Sequence, residues 1–200
     1  MDKRLVLFVD AQNLYKGCRR AFFPEAGSHI DGQFDPIKIG EIVASRSRPD
    51  ENSILREVRV YTGRPEATRQ ARTYAAHMKQ CAAWEAAGAK VIARTLKYPP
   101  NWPHERPQEK GIDVAMAVDF VALAIDNEYD IGVLASTDTD LKPALEYVHR
   151  RFSPEIRVEV VNWDGGAGGN RRLSIPGAKV WCHWLKYADY ELVRDPTDYR

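Results

Sequence analysis

The sequence predicts a three-layer α/β/α sandwich with a mostly parallel central sheet. Three observations favour this class: short apolar runs alternate with longer amphipathic segments, acidic side chains follow several of the apolar runs, and no internal repeat interrupts the alternation. Alternating strands and helices favour parallel pairing, because each return to the same edge of a sheet needs a crossover. A chain of 200 residues is expected to form a single domain, here spanning residues 1–200.

The first half of the chain contains three predicted strands and three predicted helices. The strands are expected at residues 4–9, 54–61 and 90–96. The helices are expected at residues 14–23, 36–43 and 66–87, with a loop at 28–34. Pro36 suits the first turn of its helix, and Gly88 suits the position just after a helix end.

The second half repeats the pattern and ends in a less regular tail. Helices are expected at residues 113–125 and 141–151, and strands at 131–135 and 156–161, with Met116 and Phe120 in the core. Residues 165–169 are predicted to be a turn, and the C-terminal extension from about residue 163 could be a strand followed by a helix. Cys182 and His183 are adjacent, so a strand would point them to opposite sides and prevent joint metal binding.

Composition indicates a globular protein of the cytoplasm. Charged residues make up 28% of the chain, which is ordinary for such proteins. No apolar run approaches the roughly 18 residues that span a membrane, and the N-terminal run is too short for a signal peptide. The three cysteines are far apart and odd in number, which favours reduced thiols. The net charge of +1 does not decide whether the partner is a nucleic acid.

Carboxylates follow two of the predicted strands at the point where each strand ends. Asp10 comes directly after one apolar run, and Asp138 and Asp140 follow Ser136 behind another. The carboxyl ends of parallel strands share one edge of the sheet, where ligands bind. Acids gathered there repel each other unless a cation lies between them, and Mg²⁺ or Mn²⁺ prefers oxygen ligands. Each acid alone could be a helix cap, but together they predict a metal site.

One predicted helix carries two further acids. Asp113 opens the helix, and Asp119 lies roughly 240° further around its axis, so the two cannot point squarely at one spot. Asp119 lies in an otherwise apolar stretch, where an unpaired carboxylate is costly to bury. It therefore either binds a ligand or pairs with a buried partner, and the first interpretation is favoured.

These segments resemble the NYN domain in its LabA-like branch, which belongs to the PIN-like nuclease fold. The matching segments are Val9-Asp10-Ala11-Gln12-Asn13, Lys110-Gly111-Ile112-Asp113 with Asp119, and Ser136-Thr137-Asp138-Thr139-Asp140. Their order and spacing match over roughly residues 4–162. The resemblance implies a metal-dependent ribonuclease that uses Mg²⁺ or Mn²⁺ and acts on RNA, with single-stranded RNA favoured, and a homodimer is compatible with such a fold.

Site residues are implied by position in these motifs. The implied catalytic residues are Asp10, Asp113 and Asp138. The implied metal ligands are Asp10, Asp113, Asp119, Asp138 and Asp140, supported by Asn13 and Ser136. The chain departs from the family at Thr137, where glycine is usual, and at Leu141, where an aromatic residue is usual. Neither change removes a ligand, but Thr137 could narrow the approach to the pocket.

The proline-rich segment 97–108 combines aromatic and cationic side chains just before the second motif. Trp102, Arg106 and Lys110 are the candidates for substrate contacts, because aromatic faces stack on unpaired bases and cations bind phosphates. A rigid surface loop without a binding role is the alternative. Its place beside the predicted pocket would also suit a lid over the substrate.

The leading hypothesis is therefore an endoribonuclease that hydrolyses RNA phosphodiester bonds. A metal-activated water would leave a 5′-phosphate and a 3′-hydroxyl. The alternative is a catalytically silent RNA-binding or regulatory protein that retains the acidic pocket. A phosphatase with Asp10 as nucleophile is disfavoured, because position 12 is Gln rather than the usual acid. The sequence contains no Gly-x-Ser-x-Gly elbow and no phosphate-binding P-loop.

Overall fold

A parallel sheet forms the centre of the chain in the computed structural model, which describes residues 2–25, 27–46, 52–165 and 171–200. Its strands are β1 (Lys3–Asp10), β2 (Ser53–Arg64), β3 (Lys90–Thr95), β4 (Ile131–Ala135), β5 (Arg157–Trp163) and β6 (Trp181–Leu185). The order across the sheet is β3-β2-β1-β4-β5-β6, and each of these pairings is parallel. The predicted fold class is confirmed.

Helices cover both faces of this sheet. They are α1 (Ala11–Phe22), α2 (Pro36–Ser45), α3 (Ala71–Ala86), α4 (Ile112–Ile125), α5 (Lys142–Phe152) and α6 (Tyr187–Val193). Alternate residues of β1 enter two separate hydrophobic clusters, with Leu7 on the side of α1 and α2 and Phe8 on the side of α4 and α5. Met116 and Phe120 are fully buried, as predicted. The result is a three-layer, PIN-like arrangement.

Two helices, α1 and α3, begin three or more residues away from the predicted start, and α4 and α5 begin one residue away. α1 begins at Ala11, because the Asp10 carboxylate caps it by accepting a hydrogen bond from the Asn13 N–H. α3 begins at Ala71 instead of residue 66. The backbone N–H of Glu66 donates to the Tyr98 hydroxyl, which in turn donates to Gln70 Oε1. These contacts hold the segment before α3 in a turn.

The tail adds a sixth strand and a helix. β6 pairs with β5 and is followed by α6, as the sequence indicated. Cys182 and His183 point to opposite faces, because Cys182 packs in the core below α4 and α5 while His183 Nε2 lies 2.7 Å from Glu159 Oε2. The predicted turn at 165–169 lies, apart from residue 165, outside the described residues.

The three cysteines are free and buried. Burial raises the pKa of the Cys81 thiol to about 11 and that of Cys182 to about 12, which keeps both protonated at neutral pH. Within the described part of the chain, no helix has the length and apolar character needed to cross a membrane.

Candidate active site

The site begins at the carboxyl ends of the two central strands, β1 and β4. Asp10 ends β1, and its Oδ1 accepts a 3.0 Å hydrogen bond from the Asn13 N–H. Its Oδ2 accepts a 3.2 Å hydrogen bond from the hydroxyl of Ser136, the residue after β4. Asn13 Oδ1 in turn accepts from Thr137. The structure therefore brings Asp10, Asn13 and Ser136 together across the gap between β1 and β4.

Asp138 joins the same network through Ser136. Its backbone N–H donates to Ser136 Oγ over 3.1 Å, so a single hydroxyl connects Asp138 to Asp10. The Asp138 carboxylate caps a short 3₁₀ turn over Thr139–Leu141 by accepting from the Asp140 N–H. The side chain of Asp140 itself is exposed.

The electrostatics of Asp10 show that acids are crowded at this edge. Burial raises the pKa of the Asp10 carboxyl, and the negative charge of Asp138 raises it further. Hydrogen bonds from Asn13 and Ser136 and the charge of Lys16 act in the opposite direction. Asp10 is only 9% exposed. Its proton affinity is thus higher than that of an ordinary aspartate.

Glu109 is an acid of this edge that the sequence analysis did not select. Its Oε1 accepts a 2.7 Å hydrogen bond from the N–H of Gly63, near the end of β2. Burial raises the pKa of Glu109, and the charge of Asp10 adds to the rise. A Cβ at position 63 would lie 2.5 Å from Glu109 Oε1, so this contact requires glycine.

The only signal for Glu109 in the sequence is its place at the start of the Lys110-Gly111 segment. Its contact with Gly63 joins residues 46 positions apart, and no local pattern predicts such an approach.

Asp119 has a buried cation as its partner. Its Oδ2 accepts a 2.7 Å hydrogen bond from the Tyr61 hydroxyl and lies 3.1 Å from Arg59 Nη2. The Arg59 side chain is only 8% exposed, and a buried guanidinium needs a counter-charge. The carboxylate thus has the buried partner that the sequence offered as the second interpretation. A metal-binding role in addition to this pairing stays a prediction.

Asp113 lies in the first turn of α4, behind Gly111 at a left-handed φ of 73°. A negative charge there interacts favourably with the helix dipole. No described residue forms a hydrogen bond or ion pair with its carboxylate, and it is partly exposed. Its role as a metal ligand also stays a prediction.

The predicted substrate residues lie in or just after a folded segment. Backbone hydrogen bonds between Lys97 and Gln108 close the segment at its base. The Trp102 ring packs edge-on against Tyr98 at a centroid distance of 5.1 Å. Arg106 and Lys110 are exposed, so both cations are accessible to an anionic ligand.

The acids of this edge offer ligand atoms that suit a divalent cation, but their side chains do not converge on one point. They offer the oxygen ligands that Mg²⁺ and Mn²⁺ prefer, and their mutual repulsion would be relieved by a cation. However, no three Asp, Glu, His or Cys side chains of the described residues are placed to hold one metal ion together. A cation bound here would need ligands from water or substrate in addition.

Comparison with known proteins identifies a matching family and a solved structure with a similar fold. The model of the NYN domain matches residues 4–166. The fold is similar to the crystal structure of a protein of unknown function, VPA0982, from Vibrio parahaemolyticus, with a TM-score of 0.52 and 17% sequence identity over 80% of this chain and 82% of that one. This likeness concerns the fold alone. No curated protein sequence matches the chain.

Proposed function

Because the chain belongs to the NYN domain family, a nuclease-like family, we propose that it is a metal-dependent ribonuclease with its active centre at the carboxyl ends of β1, β2 and β4. The observation that carries the proposal is the crowding of acids there, with Asp10 buried and Glu109 and Asp138 partly buried. The pKa of Asp10 is raised by burial and by Asp138, and that of Glu109 by burial and by Asp10. Perturbed acids gathered in this way are typical of functional sites.

Asp10 and Asp138 are the proposed protein ligands of the cation, because the Ser136 hydroxyl connects the Asp10 carboxylate to the Asp138 backbone and the charge of Asp138 acts on Asp10. Mg²⁺ is commonly held by one or two carboxylates, with water and substrate phosphate oxygens as its other ligands. This mode does not require three converging acids. When bound, the cation would lower the pKa of a coordinated water and neutralise charge on the phosphate.

The other residues of the edge hold the reacting groups in place. Ser136 and the Asn13 N–H fix the two oxygens of Asp10. Glu109 is the proposed general base, because a raised pKa favours uptake of a proton from the attacking water. The water oxygen bonds to phosphorus, the bond from phosphorus to the 3′-oxygen breaks, and that oxygen takes a proton from solvent water and leaves as a hydroxyl. The products are a 5′-phosphate and a 3′-hydroxyl.

Exposed cations near the edge supply the proposed contacts to the RNA backbone. Lys110 follows Glu109 directly, and Arg106 lies in the preceding segment, where both are open to solvent. Cations of this kind bind phosphates in a salt-dependent manner. Single-stranded RNA is the favoured substrate, because its unpaired bases can leave the stack and contact side chains.

A catalytically silent RNA-binding or regulatory protein is the second candidate. One observation favours it: no described group of three acids is arranged to hold a metal. Such a protein would bind RNA through Lys110 and Arg106 and release no product.

Cleavage of end-labelled single-stranded RNA tests the proposal. The protein is assayed with Mn²⁺, with Mg²⁺ and with chelator, beside Asp10→Asn prepared in the same way. The proposal predicts product with a metal ion, no product with chelator, and 5′-phosphate ends. RNA binding without product in any condition would favour the silent protein. Equal product from both preparations would point to a contaminant or to a site elsewhere.

A further inference from the structure

A cavity lies beside the acidic edge, between α1 and α3. Its volume is about 200 Å³, below the roughly 300–1,000 Å³ of pockets for drug-sized ligands. Aromatic and amide side chains contribute to its wall, among them Gln12, Tyr15, Phe34, Gln80 and Trp84. Ala11, the residue after Asp10, also lines it, as does Glu109. A ligand of one ring system could occupy the cavity while the group attached to it lies at the acidic edge.

The charges around this cavity disfavour a phosphate inside it. Of the described residues that line it, none is Lys or Arg, Glu109 is an acid, and the histidine His29 is paired with Asp198. An anion placed there would meet the charge of Glu109 without a lysine or arginine in the wall to offset it. Lys16 acts electrostatically on both Asp10 and Glu109, so the positive charge lies on the side of the acidic edge. The arrangement fits a ligand with an uncharged ring inside the cavity and a phosphate outside it.

Two α3 side chains of the cavity wall have polar groups that lack a full set of hydrogen-bond partners among the described residues. Trp84 is 6% exposed, and its buried Nε1 has no acceptor among the described residues. A buried donor without a partner is costly, and a ligand acceptor would relieve that cost. Gln80 lies one helical turn earlier, and its Nε2 donates to Gln33 Oε1 over 3.0 Å. Its own Oε1 is left to accept a hydrogen bond.

We infer that this cavity binds one unstacked nucleobase of single-stranded RNA, an inference that rests on the proposed function because it takes RNA as the substrate. Proteins recognise unpaired bases with aromatic side chains and with hydrogen bonds to the base edges. Tyr15 supplies the most open ring, because Phe34 and Trp84 are 2% and 6% exposed and stack on each other. The Watson–Crick edge of every base offers both a donor and an acceptor group. With a base in the cavity, the adjoining phosphodiester lies at Asp10 and Glu109. The cavity thereby selects the nucleotide at which cleavage occurs.

The indole N–H signal of Trp84 in ¹H–¹⁵N NMR reports on the cavity. The chain has five tryptophans, and Trp84→Phe assigns the signal. Spectra are recorded in chelator, to prevent cleavage, with RNA pentamers of each base and with a ribose-phosphate pentamer that lacks bases. RNA affinity is measured in parallel by fluorescence anisotropy for Gln80→Ala and for Met78→Ala, a control at an exposed position of α3.

We expect the Trp84 signal to shift saturably with at least one RNA pentamer and not with the base-free chain. Gln80→Ala should weaken RNA binding about two- to tenfold, the range for one lost hydrogen bond, and Met78→Ala should leave it unchanged. RNA binding without a Trp84 shift, or an equal shift with the base-free chain, would overturn the base site and leave the proposed ribonuclease intact. RNA that does not bind at all would overturn both.

Discussion

Thr137 donates two hydrogen bonds to a single oxygen, Oδ1 of Asn13, one from its backbone N–H and one from its hydroxyl, each 3.1 Å long. The resemblance to the NYN domain implies glycine at this position, and a glycine would keep only the backbone bond. The threonine side chain therefore makes a second connection between the end of β4 and α1. The hydroxyl is engaged by Asn13, so this departure from the family pattern has a structural role.

A variant without the Thr137 hydroxyl tests its structural role. We expect Thr137→Val to lower the free energy of unfolding by about 1 kcal/mol, the net worth of one hydrogen bond, as measured by urea denaturation. The cleavage rate per folded molecule should stay within about twofold of wild type, because the backbone bond to Asn13 remains. A loss of cleavage without a loss of stability would show instead that the hydroxyl acts in the chemistry.

Removing Asp119 should destabilise the protein. Asp119→Ala leaves the Tyr61 hydroxyl without its acceptor and the buried Arg59 guanidinium with Glu57 Oε1, at 3.4 Å, as its counter-charge. A buried group that loses its hydrogen-bond partner in this way costs about 1–3 kcal/mol. Urea denaturation measures the change. The exposed Asp126→Ala is the matched control on the same helix, and equal stability of the two variants would contradict the assignment.

The ionised Asp10 carboxylate should lower the free energy of unfolding at neutral pH. Burial raises the pKa of Asp10, so its folded form holds a proton more tightly than its unfolded form. The stability that it contributes is present below the ordinary pKa and is lost as pH rises through the raised value. Asp10→Asn mimics the protonated form. We therefore expect the variant to be more stable than wild type above the raised pKa, with a difference that shrinks as the pH falls.

Thermal denaturation of both proteins across a pH series measures this difference in stability. Glu109 is present in both proteins, but the charge of Asp10 contributes to its raised pKa, so Asp10→Asn also removes that part of the rise. A difference that is constant with pH, or a variant less stable than wild type at neutral pH, would contradict the assignment of a costly buried charge to Asp10.

Gly63 provides the space in which Glu109 approaches β2. A methyl group at this position would overlap Glu109 Oε1 and the Leu96 side chain. We expect Gly63→Ala to lower the free energy of unfolding by about 1–3 kcal/mol, as overpacking does, and to reduce cleavage by displacing the carboxylate. Glu109→Gln is the comparison, because it changes the acid without overpacking. Full activity in both variants would remove Glu109 from the site.

Much of the fold could be predicted because buried parallel strands and their helices leave local patterns. The apolar run before Asp10 and the glycine after α3, with a φ of +104° at Gly88, are such patterns. The start of α3 could not be predicted, because it depends on the Tyr98 hydroxyl, which is supplied by a distant segment.

The residues of the site also divide into those that local patterns predict and those that depend on distant contacts. Asp10 and Asp138 follow strands that are neighbours in the sheet, so strand order alone predicts that they lie close together. The partner of Asp119 and the position of Glu109 depend on contacts with β2, which lies 46 or more residues away along the chain. The sequence left both roles of Asp119 open, and its pairing with Arg59 could not be predicted because the two residues lie on distant segments.

The single-turnover rate of RNA cleavage in Mn²⁺ tests the central claim most directly. It is compared among wild type, Asp10→Asn, Asp138→Asn and the remote Asp126→Asn, each normalised to folded protein. We predict that Asp10→Asn and Asp138→Asn lose about a hundredfold or more, as expected when a group that stabilises the transition state is removed, while Asp126→Asn cleaves at the wild-type rate. Wild-type rates for both Asp10→Asn and Asp138→Asn would contradict an active centre at the ends of β1 and β4.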